Sequence, residues 1–528
     1  MNYKKIFSSN IFVFISFLLL FYAIFRYSES FDKGYDITED FAIINTDQSL
    51  DTKSFVTVYE DMMKIELDGY KRIRPMWVLY FVTTVKLFGF NLLLLNIYIA
   101  ILCICTSFLL FKFCKNIGYT LLQSYLFALL TLIGPATIMY TRPPDAEIIG
   151  MLLLSISLFF LSKSIFSTKN QNLYKIGFAM FLIFASLSKE SFLILVPAVL
   201  YLYLWIYSSK NKTGIKQSLK KNFLTIFIPS VFSLSTLLLI IKLLGVNQNR
   251  SYSGVNVSLF SGNTIIDFLE TVFNTDMFLI FLLGLFIFFE NEIQKNKLTS
   301  DYVKSHLKNL FKLLGLIILI IVPQFILYFK TGFVERYYLP YLIGYSFLLI
   351  YILRIIFESK SISTFFKYLY LSTIIVYLSL TLVTNTIPAI SSFTNYCNAT
   401  EDVVNSLKLT QDKTTLVVLD PALNYHKVYS LKIYLDHLKI KRDFKYDFVK
   451  LDKSNKFFSD TSFYNKQLNY AKKNLGEDII DTEKNNDDID NIMIFTGLNE
   501  IFINKNQHWF KESDYSKKQN YFYTLYYK

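Results

Sequence analysis

The chain has 528 residues, 53% of them hydrophobic and 18% aromatic, and a formal net charge of +13. Soluble domains hold about 45–50% apolar residues, so the excess, gathered in long blocks, excludes an ordinary soluble globule. A basic chain raises the question of nucleic acid, but lysines also collect on the cytoplasmic loops of membrane proteins, where they set orientation; no nucleic-acid partner is expected.

In chain order, Lys4 and Lys5 precede the apolar run Ile11–Phe25. A cleaved signal peptide would need a small-x-small site after it; none follows, and the run is read as a retained first helix. Crossing a bilayer takes roughly 20 helical residues, and stretches such as Phe278–Phe289 are apolar on every face, unlike the alternating strands of a barrel. About 11 such blocks are expected, near 8–27, 91–112, 119–140, 147–163, 174–187, 191–208, 222–244, 273–290, 311–329, 340–357 and 366–388. The lysines favour one set of loops, for example Lys210, Lys212, Lys216, Lys220 and Lys221, which places the N-terminus in the cytoplasm and the C-terminus outside a plasma or inner membrane.

Two outer segments are long. A first external loop of about 28–74 is rich in acid, and the tail turns polar, with strand-like runs at Thr415–Leu419, Ile492–Phe495 and Tyr521–Tyr527 and an amphipathic helix near Tyr425–Leu438. The expected fold is therefore an all-α polytopic membrane protein with about 11 transmembrane helices over residues 1–389 and a small extracytoplasmic α/β C-terminal domain over 390–528. Cys103, Cys105 and Cys114 lie in or beside one apolar block and Cys397 stands alone; neither a disulfide framework nor a metal motif follows.

Charge at membrane depth is costly and usually functional, yet the apolar blocks hold almost none; it sits at the outer helix ends. Asp36, Glu39 and Asp40 follow the first helix. Carboxylates this close can push one pKa upward, as a general base requires; a solvated acidic loop is the plain alternative. Arg72 and Arg74 precede Pro75 and an amphipathic stretch, and can clamp a phosphate or snorkel to the interface. In Arg142-Pro143-Pro144-Asp145-Ala146-Glu147, the acid-x-acid spacing of Asp145 and Glu147 allows a divalent cation, the one cofactor the sequence suggests. Lys189 and Glu190 are wedged between two apolar blocks with almost no loop. Arg336 and Tyr337, in Glu335-Arg336-Tyr337-Tyr338-Leu339-Pro340, suit either an interfacial belt or an anionic ligand at headgroup level.

Taken in order, the acidic pair after helix 1, the Arg-Pro before an amphipathic stretch ending in Phe88-Gly89, the Lys189-Glu190 step and the late Arg-Tyr-x-Leu-Pro resemble the C-type superfamily of membrane glycosyltransferases. That superfamily includes protein O-mannosyltransferases and lipid A aminoarabinose transferases. The resemblance covers about residues 1–390 and implies a sugar carried on a polyprenyl phosphate, transferred on the outer face to a glycan, lipid or protein acceptor. It implies that Glu39 or Asp40 is the base, with Asp36 a near alternative; many relatives have Asp-Glu or Asp-Asp where this chain has Glu39-Asp40. It further implies that Lys189 and Arg336 face the donor phosphate and that Asp145 and Glu147 hold metal or substrate. Arg72, Arg74, Arg142, Glu190 and Tyr337 complete the expected substrate-binding set, with membrane lipid as a further partner. Two other readings stay open: a lipid-linked glycan polymerase or ligase, whose large loop usually comes late in the chain, and a lipid-linked sugar flippase, which would bury charge near mid-membrane.

Overall fold

The computed structural model describes residues 10–70, 72–244, 276–294, 301–328, 339–409, 413–440 and 443–449, and, save isolated positions, 468–475 and 489–527. The chain divides into two compact units. One holds Met1–Phe31, Ser54–Thr84 and Leu94–Ser391; the other holds Asp32–Lys53, Val85–Leu93 and Ser392–Lys528.

Among the described residues, eight helices are long and apolar enough to cross a membrane, or nine if the bent pair Leu121–Leu132 and Pro135–Thr141 is one span. The chain is a multi-pass membrane protein. Nine of the expected blocks fall on these helices. The block at 273–290 falls on Asp276–Gln294, of 19 residues, and the block at 174–187 on Gln171–Ser186, whose 16 residues are short of the roughly 20 a full crossing takes. The pair bends by 77° at Ile133-Gly134-Pro135, where proline cannot donate to the preceding turn.

In the first unit, Leu339–Glu358 is the centre. It packs against Leu121–Leu132, Asp276–Gln294 and Asp301–Tyr328, and 89% of its apolar window is buried, as expected of a helix that is hydrophobic all round. Asn10–Tyr27 and Phe223–Lys242 are far less buried and leave large apolar side chains such as Leu19, Leu224 and Leu238 outward, the side that lipid would cover. Much of what the sequence suggests is an acidic loop is helical here: Phe41–Thr52, Phe55–Lys64 and a π-turn, Ile65–Tyr70.

The second unit is built on a five-stranded sheet of β1 (Thr415–Leu419), β2 (Phe444–Phe448), β3 (Asn491–Phe495), β4 (Ser516–Gln519) and β5 (Tyr523–Tyr527), in the order β2-β1-β3-β5-β4. β1 runs parallel to both neighbours, with Val417 opposite Tyr446 and Met493; β5 is antiparallel to β3 and β4. β1 and β3 are buried along their whole length, which explains their unbroken apolar runs. β4 is exposed throughout, an edge blunted by Lys517 and Lys518. The same core takes in Tyr35, Ile37 and Ile44 from the early segment, and Phe41–Thr52 packs on the helix Pro421–His437.

Candidate functional site

Two charged clusters stand out, one within each unit. In the second unit the chain turns tightly from Asp36 to Asp40, whose N–H donates to the Asp36 carbonyl at 3.1 Å. The Asp36 carboxylate is engaged by its own turn: Oδ1 accepts from the Thr38 N–H at 2.9 Å and from the Thr38 hydroxyl at 2.5 Å, an Asx turn. Asp40 leads into the helix Phe41–Thr52 but does not cap it. Its Oδ2 instead accepts from the Asp36 N–H at 2.9 Å, and its Oδ1, buried, has no hydrogen-bond partner. Glu39 is exposed.

Burial pushes the Asp40 carboxyl up to about 7 from its usual 3.8; Lys33 opposes the shift, and the negative charge of Asp36 adds to it. Lys33 is itself buried, its Nζ 5.3 Å from the Phe393 ring centroid and without a hydrogen-bond partner. The turn is tied into its unit through Gly34, whose N–H donates to Asn398 Oδ1 at 2.8 Å. A Cβ there would collide with the Glu401 side chain and lie 2.9 Å from the Cys397 carbonyl, so glycine lets the strand of chain pass this close.

In the first unit, three short connections converge. The Met76 N–H donates to the Leu187 carbonyl at 3.3 Å, and Trp77 Nε1 donates to the Pro144 carbonyl at 2.9 Å. Gly150 brings the helix Ala146–Phe166 against the Phe192 ring, where any Cβ would clash. The segment at 72–77, the turn at 142–147 and the step at 188–192 therefore meet. Arg74 Nε donates to both carboxylate oxygens of Glu190, at 3.1 and 3.0 Å, and Nη2 donates to Oε2. Lys189 pairs with Glu147. The two neighbours Lys189 and Glu190 thus serve different partners rather than each other.

A residue that the sequence did not single out joins this group. Glu66, in the π-turn, is 3% exposed, and its Oε2 has no hydrogen-bond partner. Burial raises its carboxyl above the usual 4.5, while Arg74 and then Arg72 pull it down and Glu190 pushes it further up. Nothing in the local sequence distinguishes Glu66 from the neighbouring loop acids, because its burial comes from distant segments.

Arg142 is partly buried at the turn before Asp145. Asp145 Oδ1 accepts from the Ala146 N–H at 2.8 Å, a helix-end role, whereas Glu147 faces Lys189. Among the described residues, no three or more His, Cys, Asp or Glu side chains are placed so that they could hold a metal ion. Asp145 and Glu147 each commit one oxygen within the chain, the first to a backbone N–H and the second to an ammonium. Arg336 and Tyr337 lie outside the described residues.

No protein-family model and no curated protein match the chain. Among solved structures it is similar to ArnT from Cupriavidus metallidurans in the apo state, with 12% identity over 98% of this chain and 97% of that one and a TM-score of 0.49. It is also similar to the same protein bound to undecaprenyl phosphate, with 12% identity over 97% of each chain and a TM-score of 0.45. Likeness at that level transfers no residue roles.

Proposed function

We propose that the chain is a membrane glycosyltransferase that moves a sugar from a polyprenyl-phosphate donor to a hydroxyl of a glycan, lipid or protein acceptor on the outer face of the plasma or inner membrane. The observation that carries this reading is Asp40: a buried carboxylate with a free oxygen, poised to titrate at about 7, the range in which a general base works best. Among the three acids of the cluster, Asp36 is occupied by Thr38 and Glu39 is exposed, so the base is assigned to Asp40.

In the proposed reaction the acceptor oxygen attacks the anomeric carbon as the carbon–oxygen bond to phosphate breaks. The hydroxyl proton goes to Asp40, the polyprenyl phosphate leaves as the anion, and a single displacement inverts the anomeric centre. By the order of the motifs in the sequence, Arg72 and Arg74 are assigned to the donor's phosphate; within its own unit Arg74 spends Nε and Nη2 on Glu190, and Nη1 enters neither of those bonds. Lys189, held by Glu147, is assigned as a further cation beside that phosphate. Residues 1–389 are assigned to the membrane and 390–528 to the outer side, from the lysine asymmetry of the loops.

The test is transfer of labelled sugar from a polyprenyl-phosphate donor in membranes. Asp40→Asn should cost about 10²- to 10⁴-fold in rate, the usual scale of general-base loss, at unchanged protein level. Asp51→Asn, an exposed acid of the same segment, is the control. Full activity in Asp40→Asn, Asp36→Asn and Glu39→Gln alike would sink the enzyme reading and favour a flippase.

A further inference from the structure

The inner cluster of the first unit is balanced in charge before any ligand arrives. Arg72, Arg74 and Lys189 face Glu66, Glu147 and Glu190. Two of the carboxylates are committed: Glu190 to Arg74 and Glu147 to Lys189. Glu66 is in neither pair, is 3% exposed and keeps one oxygen without a hydrogen-bond partner. An anionic phosphate entering this group would leave one uncompensated negative charge in a desolvated place, which is unfavourable unless something neutralises it.

We infer that Glu66 is a positioning residue that takes up one proton when an anionic phosphate binds Arg72 and Arg74, and releases it when the phosphate leaves. Protonation is the cheapest neutralisation available, because it breaks no ion pair and turns an orphaned acceptor into an O–H donor. The groups facing Glu66 are Arg72 and Arg74, which follow its own turn, and Glu190, which opens the helix Glu190–Leu193. Burial and Glu190 favour the proton on Glu66, while the two arginines disfavour it. An anion that occupies the arginines removes that opposition, so binding and protonation reinforce each other. The π-turn that carries Glu66 is tied to this group by its backbone: the Arg72 N–H donates to the Glu66 carbonyl at 2.8 Å.

The inference takes its ligand class, a lipid-linked phosphate, from the function proposed above. The probe is a methyl polyprenyl phosphodiester, which keeps a single charge at all relevant pH, bound to the detergent-solubilised full chain. Wild-type affinity should fall as pH rises from about 5 to 8, approaching tenfold per unit once the free protein has lost the Glu66 proton. Glu66→Gln should bind at the wild-type low-pH level and show no slope. In weakly buffered solution, wild type should also take up a proton on binding, read with an indicator dye; this measurement stands even if the variant does not fold. A flat wild-type profile, an equal slope in Glu66→Gln, or binding without proton uptake overturns the role of Glu66 and leaves the enzyme reading intact. No binding by wild type at any pH overturns both.

Discussion

The ring of Tyr35 lies on that of Tyr434, centroids 4.0 Å apart and planes within 9°, one residue from the turn that carries Asp36 and Asp40. The Tyr35 hydroxyl is 2.7 Å from Ser430 Oγ, and the Tyr434 hydroxyl donates to Glu401 Oε1 at 2.5 Å, the oxygen that also accepts from the Tyr35 N–H. The stack fixes the chain just before the acidic turn. Tyr434→Ala should therefore destabilise the second unit by about 3–5 kcal/mol, the usual cost of truncating a buried aromatic, and lower transfer by loosening Asp40. Tyr434→Phe keeps the stack and should lose only about 1–2 kcal/mol with the hydroxyl. Thermal unfolding of the two variants checks the ranking; equal losses would mean that the hydroxyl network, and not the stack, holds the turn.

The pH dependence of transfer reports on Asp40. Its carboxyl rises from 3.8 to about 7 on folding, so the native chain holds the proton more tightly than the unfolded one. Its contribution to stability is thus complete below 3.8 and is lost as pH rises through about 7. Activity runs the other way, since a base must be ionised: kcat/KM should climb toward a plateau above about 7. Asp36 raises this pKa and Lys33 lowers it. Asp36→Asn should move the activity limb to lower pH and Lys33→Met to higher pH. Shifts of the same sign in both variants would assign the limb to another group.

Orientation can be read with topology reporters. A fusion after residue 389 should report the outer side and one near Lys216 the cytoplasm, because Lys210, Lys212, Lys216, Lys220 and Lys221 crowd one short connection. Reporters on the same side would overturn the outward-facing assignment.

What the sequence could tell depended on how local each cause was. The spans were legible because lipid asks only for length and apolarity, and β1, β3 and β5 because buried strands are continuously apolar or aromatic. β2, Phe444-Lys445-Tyr446-Asp447-Phe448, carries a period-2 alternation that was there to read. β4, Ser516-Lys517-Lys518-Gln519, carries none, since an exposed edge strand is defined by pairing with β5 and not by its own side chains. The bend at Gly134-Pro135 sat inside a block that hydropathy treats as one span. At the two charged clusters the local signal stopped at residue type: Lys189 and Glu190 stood out, but their partners, Glu147 and Arg74, lie 42 and 116 residues away. Lys33 and Glu66 read as ordinary loop charges, and only tertiary packing buries them.

The pair Arg74–Glu190 offers a way to separate structure from function. Both side chains are largely desolvated, at 11% and 13% exposure. Removing one partner of such a pair strands the other charge and typically costs about 3–5 kcal/mol, whereas replacing both by apolar residues is often neutral. Arg74→Ala should thus lower the thermal stability of the solubilised chain markedly, and Arg74→Lys should recover only part, because an ammonium cannot reproduce the donation from Nε and Nη2 together. The double variant Arg74→Met, Glu190→Met should regain most of the stability. If Arg74 also serves the donor phosphate, that rescued protein should remain defective in transfer, with a raised donor KM. Recovery of both stability and transfer in the double variant would reduce Arg74 to a structural tie between the segment at 72–77 and the step at 188–192.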